Sequence, residues 1–300
     1  MRLIYYSLAV TEGNGCERQW LQSIRSLRRH NRAIPVQLVA YGWPANATLE
    51  AADALNVHVV QAGAYPDCFR GLPAGPAMAL ARLPTLHKLL SLRHCPVEGV
   101  DQILFLDCDT YFFRDVGLLF DHHLTCHWYA REEPLSSRSA EGAHPAYLDE
   151  ALLRRMAETE GLAAIPPYNT GIILLNGGVW HQLRALADAF LETCWRLAVG
   201  LCFRAPLGSD ADPEFLRAVA RHASEQDRRT CLAFPCRNSW LFDEIAAWLT
   251  LGRIPGLSHD ELARQDVAQG DEFARRREPP VVAHYFGGME DRFFATVPRL

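Results

Sequence analysis

The chain has 300 residues, a formal charge of −5 and 22% charged residues. That balance suits a soluble globular protein and lacks the basic excess of a nucleic-acid binder. The longest uncharged stretch, Gly161–Leu183, is broken by Pro166, Pro167, Asn169 and four glycines, so it does not read as a membrane span.

Nine cysteines without a Cys-x-x-Cys pair read as reduced thiols. With no targeting segment at the start of the chain, the expected location is cytoplasmic.

In chain order, Arg2–Ala9 reads as a first strand and Thr11–Gly15 as a turn. Cys16–His30 has the spacing of an amphipathic helix, with Trp20, Ile24 and Leu27 on one face. Val36–Gly42, Ala47–Leu55 and Val57–Gln61 follow as strand, helix and strand. Such alternation predicts right-handed crossovers and a parallel, Rossmann-like sheet. Gly13-Asn14-Gly15 is not a dinucleotide fingerprint, because position 18 is Arg where a third glycine is needed. Ala62–Gly75 reads as a loop, and a helix over about Pro76–Leu92 carries Arg82 and Lys88.

Ile103-Leu104-Phe105-Leu106 then runs without a break into Asp107-Cys108-Asp109. A short continuous apolar run suits a strand buried on both faces, as in a parallel sheet. On such a strand, residues two apart point the same way, so Asp107 and Asp109 are expected to aim together and to need a cation. Tyr111–Phe113 reads as extended, Asp115 as the cap of a short helix and Leu124–Ala130 as a strand. Residues 131–146 look like a polar loop and Tyr147–Gly161 like a helix.

Tyr168–Asn176 reads as a turn feeding an apolar strand, followed by a long helix over Val179–Val199. Glu225-Gln226-Asp227 looks like a helix start. Residues 234–240 read as loop, Ile245–Leu251 as a helix and Val281–Phe286 as a last strand running into Gly287-Gly288. Arg253–Pro280 carries little pattern.

Asp-x-Asp alone is weak, and a second pair, Asp210-Ala211-Asp212, reads as a loop and helix cap. Context distinguishes the first pair, because ligands of open α/β sheets bind at the carboxyl ends of strands. His284 lies in an apolar strand before two glycines. A neutral imidazole added to two carboxylates favours a transition metal such as manganese over calcium.

Taken together, these stretches resemble the GT-A glycosyltransferases. Leu106-Asp107-Cys108-Asp109-Thr110 is similar to their Asp-x-Asp motif. Tyr168–Asn176 with Trp180 resembles the Asn-x-Gly strand of glycosyltransferase family eight, the family of glycogenin and bacterial lipopolysaccharide α-glycosyltransferases. Thr85–Leu89 is similar to the lysine-bearing helix of glycogenin. Glu225-Gln226-Asp227 resembles the family's acidic-Gln-Asp element, and His284–Gly287 resembles its C-terminal metal-ligand motif. The ordered set covers roughly residues 1–290.

The resemblance implies an α/β fold of GT-A type, Rossmann-like and mostly parallel, as one domain over 1–300. Residues 1–115 would bind the nucleotide, and 116–300 would bind the sugar and the acceptor. It implies Mn²⁺ or Mg²⁺ held by Asp107, Asp109 and His284, and a nucleotide-sugar, most often a UDP-sugar, as co-substrate. Tyr6 and Ser7 would meet the nucleoside, Lys88 or Arg82 the diphosphate or the donor sugar, and Asn169 and Gly171 the donor-sugar pocket. Cys108 and Gly287 would line the same site. Gln226, with Asp227 and Glu225 close by, would sit near the anomeric carbon. Gln226, an amide and a poor nucleophile, points to front-side substitution with retention.

Where the family has a Lys-Pro-Trp element after the histidine, this chain has Gly288-Met289-Glu290-Asp291-Arg292. The lysine is missing, two carboxylates that would repel phosphate are present, and Arg292 is the cation at hand. Other readings are a sugar-nucleotide nucleotidyltransferase, a weakly catalytic nucleotide- or glycan-binding protein, or a self-glycosylating primer. The acceptor and the oligomeric state are not written in the sequence.

Overall fold

A computed structural model describes residues 1–10, 15–71, 86–95, 98–132, 168–177, 179, 182, 247, 254–285 and 289–297. Its first unit follows from local alternation. β1 (Arg2–Ala9) leads through α1 (Cys16–His30) to β2 (Val36–Tyr41), and α2 (Asn46–Ala54) leads to β3 (Val57–Gln61). α1 turns Trp20, Ile24 and Leu27 fully inward. Each such side chain contributes about 1.5–3 kcal/mol by leaving water. The three strands are parallel neighbours.

The chain next returns across β1. After α3 (His87–Ser91), β4 (Gln102–Leu106) pairs with the free side of β1, again in parallel. The order β3-β2-β1-β4 therefore reverses direction of growth between β1 and β4. Such a switch point opens a crevice beyond the carboxyl ends of the two strands. Asp107 follows directly from the end of β4.

The rest of the large sheet is mixed. β7 (Tyr168–Asn176) runs antiparallel to β4. β6 (Trp128–Glu132) pairs antiparallel with β7 and parallel with β8 (His259–Glu261). The apolar run of β4 thus reports burial on both faces, not the direction of both neighbours. Seven strands, mostly parallel, stand in the order β3-β2-β1-β4-β7-β6-β8.

A second, three-stranded sheet holds β5 (Thr110–Phe112), β10 (Val282–His284) and β9 (Val267–Gln269), with β10 in the middle. α4 (Gly117–His122) follows β5, with the Asp115 carboxylate accepting the Gly117 N–H at 2.8 Å. α5 (Glu290–Thr296) packs Phe293 against Tyr285, the rings stacked at 4.7 Å.

Several expectations shift. The extended segment after Asp109 and the last strand belong to this small sheet. The strand expected over Leu124–Ala130 forms at Trp128–Glu132, and Tyr168–Asn176 is strand throughout, with no turn. The patternless 253–280 region contains β8 and β9, each three residues long and too short to show a period. Val179, Gln182 and Ala247 are helical, as expected. The expected helix over 147–161, most of those over 76–92, 179–199 and 245–251, and the loops over 131–146 and 234–240 lie largely or wholly outside the described residues. Among the described residues, no helix is long and apolar enough to cross a membrane.

Candidate active site

The site forms at the seam between the two sheets. Asp107, Cys108 and Asp109 are not part of a strand: β4 stops at Leu106, and these residues turn the chain into β5. The turn is tied on every side. Asp107 N–H donates to the Gly171 carbonyl of β7 at 2.8 Å, and Tyr285 N–H donates to the Asp109 carbonyl at 3.0 Å. Thr110 Oγ1 donates to the Asp107 carbonyl at 3.0 Å.

With its proton so committed, the Thr110 hydroxyl must accept from Ser23 Oγ at 2.7 Å, and Ser23 must in turn accept from Tyr6 at 2.7 Å. A chain of three buried hydroxyls thus runs from α1 and β1 to the turn. Sequence reasoning could not find it, because its members lie far apart in the chain.

The two carboxylates do converge, but through this turn and not through the pleat of a strand. Register places His284 of β10 opposite Thr110. Its Nε2 lies 3.1 Å from Asp109 Oδ1 and 3.6 Å from Asp107 Oδ2. One ligand atom from each of the three residues falls within 4.8 Å of the others. Their side chains are 13%, 17% and 5% exposed for Asp107, Asp109 and His284. Lys88 Nζ of α3 reaches Asp107 Oδ2 at 2.6 Å.

Electrostatics follow from crowding. Burial pushes Asp107 up to about 6, against the pull of Lys88. Burial acts most strongly on Asp109 and raises it, but the charge and hydrogen bond of His284, with Lys88 and a backbone hydrogen bond, together hold it below its ordinary value. His284 shows the reverse: burial alone would lower it, and Asp109 carries it above its ordinary value. Two buried carboxylates with ligand atoms within 4.8 Å of each other repel when both are ionised, so a cation between them is favoured.

The donor set fits a hard or borderline divalent ion. Adjacent ligands of an octahedral ion with bonds near 2.1 Å lie about 3 Å apart. The imidazole-to-carboxylate distances of 3.1 and 3.6 Å are of that size.

The remaining expected site residues are distributed as follows. Ser7 and His87 form a buried side-chain hydrogen bond, and burial together with Lys88 lowers His87 to about 3, so its ring is neutral. Cys108 donates to the Ser7 carbonyl at 3.5 Å, and burial raises its thiol well above the ordinary range. Tyr6 is fully buried, its hydroxyl in the chain to Asp107. Asn169 and Gly171 lie within β7, buried, with Asn169 Oδ1 accepting the Gly171 N–H at 2.8 Å. Arg82, Trp180, Glu225, Gln226, Asp227 and Gly287 lie outside the described residues. Glu290, expected to repel phosphate, is paired with Arg18 of α1 at 2.8 Å.

No protein-family model matches the chain, and none of the curated proteins matches its sequence. Solved structures do match. The bifunctional glycosyltransferase WbbM aligns over 95% of this chain at a TM-score of 0.51 and 14% identity, and the chain spans 45% of that protein. The galactosyltransferase LgtC, determined with donor and acceptor sugar analogues, aligns over 100% of this chain and 98% of its own at 0.49 and 14% identity. Mouse xyloside xylosyltransferase 1 aligns over 95% and 97% at 0.49 and 12% identity. The chain has the α/β fold of GT-A glycosyltransferases, a mostly parallel sheet flanked by helices, shared with WbbM.

Proposed function

We propose that this protein is a metal-dependent glycosyltransferase of the family-eight kind. It moves a sugar from a nucleotide-sugar, a UDP-sugar in the first instance, to a glycan or other acceptor with retention of configuration. The carrying observation is the convergence of Asp107, Asp109 and His284, with Lys88 beside them, at the switch point of a glycosyltransferase fold. The reading takes 1–300 as one domain, with nucleotide binding in 1–115 and sugar and acceptor binding in 116–300, in a cytoplasmic protein.

Asp107, Asp109 and His284 hold Mn²⁺ or Mg²⁺, which when bound supplies Lewis-acid stabilisation of the charge that builds on the leaving diphosphate. Lys88, or Arg82 six residues before it, gives a charge-assisted hydrogen bond to a diphosphate oxygen. Tyr6 and Ser7 carry the strand that meets the nucleoside; Cys108 and Gly287 shape the walls. Gln226 turns its amide oxygen to the anomeric carbon as positive charge develops there, with Asp227 close by. The acceptor oxygen bonds to that carbon on the face the phosphate oxygen leaves. The acceptor's proton passes to the departing phosphate oxygen, so no separate carboxylate nucleophile is required.

A thermal-shift panel tests the reading. Nucleotides and nucleotide-sugars are each added with Mn²⁺, with Mg²⁺ and with EDTA. A uridine diphosphate or UDP-sugar is expected to raise the melting temperature only with metal. No metal-dependent shift with any nucleotide would defeat the proposal.

A further inference from the structure

We infer that Gly171 and Asn169 are positioning residues for the metal centre, acting by seating His284 and Asp107. The inference rests on the reading of Asp107, Asp109 and His284 as metal ligands.

Gly171 lies inside the nine-residue strand β7. Its φ is not among the positive values, so its backbone does not demand glycine. Glycine within a strand is unfavourable and calls for another reason. That reason is space. A Cβ at this position would lie 2.1 Å from His284 Cε1, 2.4 Å from Nδ1 and 2.6 Å from Nε2. The obstacle is an aromatic ring on a buried side chain, not the far end of a flexible one.

The backbone behind that ring is pinned as well. His284 pairs with Thr110 on one side and with Gln269 on the other, as the central strand of the small sheet requires. The ring can yield to a methyl group only by swinging its Nε2 away from both carboxylates.

The same residue touches the second ligand through its main chain, since its carbonyl takes the Asp107 N–H. Its own N–H is taken up by Asn169 Oδ1. Here the pairing of β6 with β7 shifts register, between Ala130 and Glu132, and a side chain stands in for the ladder. Asn169 therefore fixes Gly171, and Gly171 fixes the imidazole by contact and the carboxylate turn by hydrogen bond. Groups that orient metal ligands are typically worth 10–100-fold in metal affinity.

The test is Mn²⁺ binding to the full chain, followed by electron paramagnetic resonance of the free ion, with no nucleotide or sugar present. Gly171→Ala is expected to weaken Mn²⁺ by at least about 10-fold, and Asn169→Ala by a smaller factor in the same direction. His284→Ala removes the ring that the new methyl group would strike. Adding Gly171→Ala to it is therefore expected to change residual Mn²⁺ affinity by less than about twofold and to leave its melting temperature unchanged. This double variant keeps the test decisive if Gly171→Ala alone folds poorly. Parental Mn²⁺ affinity in Gly171→Ala, or losses from Gly171→Ala and His284→Ala that multiply, would overturn the inference while leaving the metal reading standing. No Mn²⁺ binding by the parent would overturn the metal reading, and the inference with it.

Discussion

The large and small sheets contribute to the same site by opposite routes. In the large sheet, β1, β2 and β3 follow one another through short helices, and β4 closes on β1 after one return. This region supplies Asp107, at the end of β4, and Lys88. The small sheet joins β5 to β10, so that Asp109 meets a histidine 175 positions away in sequence. One region needs local alternation to form, whereas the other needs distant strands to find each other. The proposed metal site needs both regions, so damage to the small sheet should remove metal binding before it unfolds β1–β4.

The largest effect should come from the seam itself. Asp109→Ala or His284→Ala is expected to lower metal-dependent sugar transfer by several kcal/mol, roughly 10³-fold, measured as donor turnover at saturating Mn²⁺. Activity within a few-fold of the parent would separate chemistry from the triad.

Next comes the support of the small sheet. Phe293 is buried among Tyr111, Phe273 and Tyr285, the residue after His284. Phe293→Ala should cost about 3 kcal/mol in denaturant unfolding and weaken Mn²⁺ in parallel. An equal loss of stability with Mn²⁺ affinity untouched would break the link between that sheet and the centre.

A smaller effect belongs to the large-sheet side. His87 is held near 3 by burial and then by Lys88, against an ordinary value of 6.5. The unfolded chain therefore binds a proton between pH 6.5 and 3 that the folded chain refuses. Stability from this group is complete above pH 6.5 and falls as pH drops through that window, by at most about 1.4 kcal/mol per pH unit. His87→Gln should flatten that slope in unfolding experiments across pH 4–7, and an unchanged slope would assign acid sensitivity elsewhere. The smallest effect should come from Trp43, 80% exposed after β2. Trp43→Ser is expected to stay within about 0.5 kcal/mol of parental stability.

The same division governs what could be read from the sequence. β1, α1 and β3 appear with the expected bounds because their signals are local: period in Cys16–His30 and apolar runs in the strands. The direction of β7 against β4 was not legible, since a residue buried on both faces looks alike in parallel and antiparallel pairing. β9 was hidden because three residues carry no period. The Asp107–Asp109 pair was legible as a candidate, but for a partly wrong reason. Its carboxylates converge through a turn braced by Thr110, Ser23 and Tyr6. Tyr6 was readable as a strand residue, yet its place in that hydroxyl chain depends on Ser23 and Thr110, which no local pattern links to it.

The most direct test is anomalous diffraction at the manganese edge from crystals grown with Mn²⁺ and UDP. The expected result is one strong peak within bonding distance of Asp107, Asp109 and His284, with the diphosphate on its open side. A diphosphate bound elsewhere, or manganese held by other residues while these three pair only with each other and Lys88, would contradict the assignment of the site.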